Sequence, residues 1–309
     1  MATTDGTVGI VALHRSGLER FGELVHGVPG DGWRQPTPCA DWDVAELVNH
    51  VVGECLWAPP LLSGGTVAEV GDRFDGDLLG DDPAAAWDAG AAQVAAAAAE
   101  VALDATVHLS FADVPAEEYL WQLTADLLIH GWDLARATGQ DEVLDPGLTG
   151  AVARWFDERE DVYRAAGVIG PPRPGAADRP DHQLLARFGR DASPDSPLAV
   201  IGRFNAAFNR HDLDALRGLV ADDCVFVDTT PPFRTAHHGA AAVIAAFAQI
   251  FADAPEARFE TLGGFVGESG AAYRWLYRWG DGDDDCVEGV DLLRVADGRV
   301  ASKLAYVKG

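Results

Sequence analysis

Lysine is almost missing from the 309-residue sequence. It occurs only at Lys303 and Lys308, and arginine supplies the rest of the 23 basic residues. Bases are scarce altogether: 49 acids oppose them, for a formal net charge of −26. So negative a chain repels phosphate backbones and anionic headgroups, which argues against nucleic acid and membrane as partners. No run of about 18 apolar residues occurs, and Met1–Gly6 carries neither a basic n-region nor an apolar h-region. The expectation is a soluble, cytoplasmic protein. Cysteine is also sparse. Cys39, Cys55, Cys224 and Cys286 lack CxxC spacing, which excludes a disulfide framework or a zinc ribbon and fits a reducing compartment. The P-loop, GxGxxG, HExxH and GxSxG patterns are missing as well, which sets aside nucleotide-dependent and serine-hydrolase mechanisms.

Hydrophobic residues make up 48 % of the chain, enough for a core in each of two domains. The first half reads as helices. Val11, Leu18, Phe21 and Val25 recur at helical spacing from Val8 to Val25. A second helix opens at Asp43, where Glu46 completes a capping box and Trp42 and Leu47 form a hydrophobic staple. A third spans Pro83 to Val101, and a fourth runs from Ala116 to Thr138 and stops at Gly139. Another follows Pro146 and continues to about Ala166. Such helices joined by loops predict a bundle. Residues Val168 to Asp181 are rich in Pro and Gly, and a short amphipathic turn, Gln183 to Phe188, follows.

The boundary lies in Asp191–Pro197, where Ser196 caps a new helix with Pro197 in its first turn. We therefore divide the chain into residues 1–191, a linker at 192–198, and residues 199–309. Beyond the linker, helices at Pro197–Asn209 and Leu213–Val220 lead into a short strand, Cys224–Asp228, and then a helix, Ala240–Phe251. Period-two segments follow at Arg258–Val266, Ala271–Trp279, Cys286–Val295 and Arg299–Val307, with turns in Asp281–Asp285 and at Asp297-Gly298. That order is α+β.

One constellation in the bundle is suited to metal chemistry. Asp126 and His130 stand four apart on one helix and share a face, and His50 sits among apolar neighbours on another. Two imidazoles and a carboxylate can hold a divalent ion, with zinc the best match, and leave a position open for a substrate. Hydrogen-bonded structural histidines are the alternative. Glu54, one turn beyond His50, is a ligand, a partner of a ligand or a solvated residue.

The words around these residues sharpen the reading. Thr37–Val44 (Thr-Pro-Cys-Ala-Asp-Trp-Asp-Val) and His130–Gly139 (His-Gly-Trp-Asp-Leu-Ala-Arg-Ala-Thr-Gly) resemble the DinB-like, mycothiol-dependent maleylpyruvate isomerase family, as does Leu184–Asp191. The resemblance covers about Val8 to Asp191. It implies a four-helix bundle with His50, Asp126 and His130 as metal ligands and mycothiol as a low-molecular-weight thiol partner. Bound metal would lower the thiol's pKa to give the nucleophilic thiolate. Asp126 departs from the glutamate usual in the family. Arg136, in the same signature, reads as a catalytic residue binding a carboxylate of substrate or thiol, or else as a salt-bridge partner of Asp133 or another acid. Trp132 reads as packing or as a substrate wall.

Residues 199–309 resemble the SnoaL-like and ketosteroid-isomerase-like branch of the nuclear transport factor two superfamily. The carrying segments are Arg203–Asn209, Asp212-Leu213, Ala221–Asp228, Gly289–Val295 and Tyr306–Gly309. The resemblance implies a cone-shaped α+β fold with a curved sheet around an apolar pocket, and homodimerisation is common in this branch. It puts Asp228 where the isomerases have a proton-shuttling base and Asp291 where they have a protonated donor to the oxyanion, with apolar burial raising both pKa values. Phe204 stands where that branch has an oxyanion-hole tyrosine, and a lost donor costs about 10²–10³ in rate. Tyr273, Trp275, Tyr277 and Trp279 share one strand face and line a pocket, pack a sheet or form a dimer surface. His237 and His238 are expected in a loop. The expected function is a metal- and mycothiol-dependent transferase or isomerase acting on a small organic electrophile. The alternatives are a non-catalytic metal and small-molecule binder, and isomerase, cyclase or dehydratase chemistry with Asp228 as base.

Overall fold

A computed structural model of the chain describes residues 8–39, 42–173, 178–229, 234–280, 282 and 284–308. Ala40 and Asp41 of the first motif, part of the Pro- and Gly-rich segment, Asp281 and Asp283 of the acidic turn, and Gly309 lie outside the described residues. The chain divides into two units. The first takes the described residues up to Val28, Ala45–Ala135 and Gln140–Asp191; the second takes Pro29–Val44, Arg136–Gly139 and the residues from Ala192 on.

The first unit is helical: α1 (Ile10–His26), α2 (Val44–Leu62), α3 (Val67–Val70), α4 (Pro83–Glu100), then two short strands, β1 (Thr106–His108) and β2 (Asp113–Pro115), followed by α5 (Ala116–Thr138), α6 (Pro146–Asp157), α7 (Glu160–Ala165) and α8 (Pro180–Arg187). Phe21 of α1 meets Trp87 of α4 with ring centroids 4.7 Å apart. Small residues let the helices approach closely. A Cβ on Gly131 of α5 would already touch Leu24 and Phe21 at 3.6 and 3.7 Å. α5 is buried along most of its length, from Tyr119 to Ala135, as suits a helix with neighbours on several sides. It ends where expected, with Gly139 at φ +70°.

Several details depart from the sequence-based expectations. The long helix expected after Pro146 breaks at Asp157 into α6 and α7. At the break the Arg159 guanidinium turns back onto Glu118 (2.8 Å) and the Trp155 carbonyl (2.7 Å). The β1–β2 pair and the one-turn helix α3, closed by a Thr66/Glu69 capping box, were not expected. They are too short for periodicity to register.

The second unit holds α9 (Pro197–Asn209), α10 (Leu213–Leu219), β3 (Val220–Asp228), β4 (Thr235–His238), α11 (Ala240–Asp253), β5 (Arg258–Gly267), β6 (Gly270–Arg278), β7 (Cys286–Ala296) and β8 (Arg299–Val307). Its six strands run in the order β4-β3-β8-β7-β6-β5, parallel only between β3 and β8. Irregularities at Thr261/Gly263 and Arg294/Val295 interrupt the ladders, and such bulges bend and twist a sheet into a curve. Phe204 and Phe208 of α9 and Phe247 of α11 pack with Phe226, Tyr273, Leu293 and Ala305 of the sheet in one apolar core. The Asp297-Gly298 turn has φ of 49° and 69°, as a tight hairpin requires. His237 and His238 correct the loop expectation. They form β4, with His237 opposite Phe226, and the two rings stack 5.6 Å apart. No helix among the described residues is long and apolar enough to cross a membrane.

Candidate functional site

In the first unit, α2 brings His50 to the face of α5 that carries Asp126 and His130. His50 Nε2 lies 3.3 Å from Asp126 Oδ2, and His130 Nε2 lies 3.3 Å from Asp126 Oδ1. The imidazoles meet edge to face at 77°, with centroids 5.2 Å apart. One ligand atom from each residue falls within 4.8 Å of the other two. Two elements therefore bring together three side chains from positions 50, 126 and 130.

The other ring nitrogen of His130 has its own partner. Nδ1 lies 3.0 Å from Asp133 Oδ2, one turn along α5. Asp133 has no exposed side-chain surface, and Arg190 grips it through Nη2 at 2.6 Å and Nε at 3.1 Å. Burial opposes the charge on Asp133, but the guanidinium and the imidazole outweigh it and hold the carboxyl down to about 2. An ionised carboxylate only accepts hydrogen bonds, so Nδ1 carries a proton, and Nε2 faces Asp126 as a donor when the ring is protonated and as a lone pair when it is neutral. Burial likewise opposes ionisation of Asp126, and the two imidazoles overcome it to hold that carboxyl well below the usual range. Its Oδ2 atom is buried without a well-formed hydrogen bond.

Two neighbours complete the setting. Glu54 is pushed upward by burial and by Asp126, with His50 and His130 pulling the other way. Burial, Glu54 and Asp126 raise the Cys55 thiol, which stays protonated and inert at neutral pH. α5 also borders a cleft of about 400 Å³ whose walls include Leu24, Leu128, Trp132 and Leu148. Trp132, 2 % exposed, both packs in the unit and lines that cleft.

Arg136 donates to the Ser193 carbonyl and Ser196 Oγ, each at 3.1 Å, and to the Ala192 carbonyl at 3.3 Å. A guanidinium beside Asp133 is that of Arg190. Arg190 lies 57 residues along the chain from Asp133, so no local spacing could have announced it.

In the second unit, Asp228 and Asp291 are both register partners of Ala305, one on each side of β8, so they share a sheet face. Asp228 is half-buried at the end of β3. Asp291 is buried and accepts from the ammonium of Lys303. Lys303 was not among the residues singled out from the sequence. Alternation along β8 was its only signal: it puts position 303 on the same face as Ala305. The aromatic stripe is graded, with Tyr273 and Trp275 buried, Tyr277 half-buried and Trp279 43 % exposed. Tyr273 pairs in register with Asp291, and burial keeps its hydroxyl protonated.

Comparison with known proteins gives two family matches. Residues 14–135 match the mycothiol maleylpyruvate isomerase N-terminal domain, and residues 201–303 match the SnoaL-like domain. Two uncharacterized proteins from strains of Mycobacterium tuberculosis are 34 % identical over 183 residues, which span 57 % of this chain and 93 % of theirs. Among solved structures, an NTF2-like protein of unknown function from Mesorhizobium loti is 38 % identical over 38 % of this chain and 95 % of its own, with a TM-score of 0.34. A putative polyketide cyclase from Sinorhizobium meliloti is 23 % identical over 34 % of this chain and 92 % of its own, with a TM-score of 0.31.

Proposed function

The chain belongs to the mycothiol maleylpyruvate isomerase N-terminal domain family and to the SnoaL-like family, and from that membership we propose a metal- and thiol-dependent isomerase or transferase acting on a small organic electrophile. The coarser statement, an isomerase-type or small-molecule-binding role, follows from the two domains themselves. The finer one rests on the hydrogen bonds of His130.

The fit to a divalent cation can be judged from the donor set. With Nδ1–H committed to Asp133, a neutral His130 would turn its Nε2 lone pair to a carboxylate oxygen at 3.3 Å. Two lone pairs facing each other repel, and either a proton or a cation between them removes the repulsion. The buried Asp126 Oδ2 points to the same need. Two imidazole nitrogens and a carboxylate oxygen suit zinc and similar divalent ions. His50, Asp126 and His130 would hold the ion, with Asp133 and Arg190 fixing the tautomer and ring orientation of His130. When bound, the ion would supply a Lewis acid that favours the thiolate form of a low-molecular-weight thiol, with mycothiol the candidate named by the family.

The chain's own groups take the remaining tasks. Cys55 is held protonated and does not serve as the attacking sulfur. Glu54, raised by burial and by Asp126, has the environment of a carboxylate that takes the thiol proton and returns it to product. The SnoaL-like unit would bind the organic substrate.

Elemental analysis of the purified, dialysed protein beside a His50→Ala, His130→Ala double variant tests this reading. The expected result is about one equivalent of a divalent transition metal in the wild type and almost none in the variant. Equal metal in the two samples would remove the site. Thiol-dependent consumption of an electrophile, lost in the variant, then separates an enzyme from a binding protein.

A further inference from the structure

The second unit carries a group of polar atoms that the metal centre does not use. Lys303 is 5 % exposed and is one of only two lysines in the chain. Its ammonium donates to Asp291 Oδ2 and sits 5.9 Å from the Phe208 ring centroid and 6.0 Å from that of Phe259. An ammonium has three donors, and a carboxylate has two oxygens with about four acceptor sites. The pair leaves the carboxylate incompletely satisfied, since Asp291 Oδ1 is buried with no partner. A second buried polar atom without a partner, Trp275 Nε1, belongs to the same face. Trp275 stands in register with Gly289, two residues before Asp291, and its ring lies 5.0 Å from that of Phe259. Buried polar atoms without partners are rare in native proteins, and two sharing one apolar face point to a ligand that supplies what is missing.

We propose that this face is a carbonyl-binding site at which the Lys303 amine forms a reversible Schiff base with an apolar, planar ketone or aldehyde. The components suit the reaction. The Trp275 indole N–H donates to the carbonyl oxygen, and Phe208 and Phe259 flank the reacting carbon. Asp291 takes a proton from Nζ, whose freed lone pair attacks the carbonyl carbon as the C–O π bond opens. The proton passes to the oxygen to give a carbinolamine. Loss of that hydroxyl, with the second Nζ proton, as water leaves the protonated imine, the third proton staying on Nζ. Ammonium plus carbonyl thus gives iminium plus water, with no oxidant or reductant. Arginine, which provides every other cation of the chain except Lys308, cannot do this, because its guanidinium does not deprotonate in proteins. The site stands independently of the metal centre, since all its residues belong to the second unit.

Acetylacetone provides the test. It condenses with an amine to a stable enaminone with loss of one water, so no trapping reagent is needed. The full chain is incubated with the diketone, and the adduct is located by peptide mass analysis. Lys308, 72 % exposed, and the terminal amine serve as internal standards. The expected result is modification of Lys303 at least about tenfold faster than Lys308 in the folded protein, with the preference erased in denaturant. Trp275→Phe should slow labelling of Lys303 alone. Lys303→Arg, which keeps a cation beside Asp291, should carry adduct only at Lys308 and the terminal amine. Labelling of Lys308 as fast as Lys303, or no adduct at Lys303 in the folded wild type, overturns the proposal. Both outcomes are read on the unmodified sequence, so they do not depend on any variant folding.

Discussion

His14 shows how much one buried side chain can impose. It is 1 % exposed on α1, and its Nδ1 lies 3.3 Å from Thr124 Oγ1, while the Thr124 hydroxyl donates to the Leu120 carbonyl at 2.6 Å. Burial lowers its pKa from 6.5 to about 4. Between those values the unfolded chain binds a proton that the folded chain refuses, so stability is full above pH 6.5 and falls as the pH drops towards 4. The loss from this group amounts to about 3 kcal/mol. Denaturant unfolding at pH 7.5 and 4.5 should show it, and His14→Leu should flatten the difference, because Thr124 keeps its bond to Leu120. An unchanged slope in the variant would assign the acid sensitivity elsewhere. Asp133 bears on the proposed metal site through His130. In Asp133→Asn the amide can still accept a hydrogen bond, but the charge opposite Arg190 and His130 is gone. Metal affinity, read by competition with a chelator, should fall about 10- to 100-fold, with His50 and Asp126 untouched.

Among the secondary-structure elements, the sheet of the second unit depends on close approaches that periodicity does not reveal. A Cβ on Gly289 of β7 would come within 2.2 Å of the Trp275 ring and 2.6 Å of the Tyr306 carbonyl. Neither can retreat, as one is a buried indole and the other is ladder backbone. Gly289→Ala should therefore cost about 1–3 kcal/mol in chemical denaturation and move Trp275, visible as a change in tryptophan fluorescence. A variant with wild-type stability and emission would contradict the packing around β7. Helices with strong caps and long amphipathic runs were legible in the sequence, and α5, α9 and β8 begin and end where the residue pattern put them. What escaped was set by contacts distant in sequence. β4 is four residues long and exists only because β3 lies beside it, and the break between α6 and α7 reflects Arg159 reaching back to Glu118. The three candidate ligands were legible because two share a helix face and the third follows a recognisable motif. Arg190 and Lys303 were not, because what makes them important is a buried carboxylate that only the fold brings to them.

At the scale of the whole molecule, the chain is dominated by its charge of −26. Mutual repulsion among the acids opposes the compact state, and salt relieves it by shortening the Debye length from about 30 Å at 0.01 M to about 8 Å at 0.15 M. The midpoint of thermal unfolding should rise across that range of sodium chloride, and a fall would show that attractive ion pairs outweigh the repulsion. The same charge draws divalent cations to the surface at large, so metal stoichiometry has meaning only beside the double-histidine variant.

The Arg190–Asp133 contact has a practical corollary. The family match over the first unit ends at residue 135, and Arg190 lies far beyond it. A fragment trimmed to the matched stretch would retain both imidazoles and the Asp126 carboxylate, yet it would strand a fully buried anion without its counter-charge. Such a piece would be a misleading surrogate: poor metal retention there would report the missing arginine, not the quality of the ligand set. Any excised version of this unit has to extend through residue 191 before its chemistry can be compared with that of the whole chain.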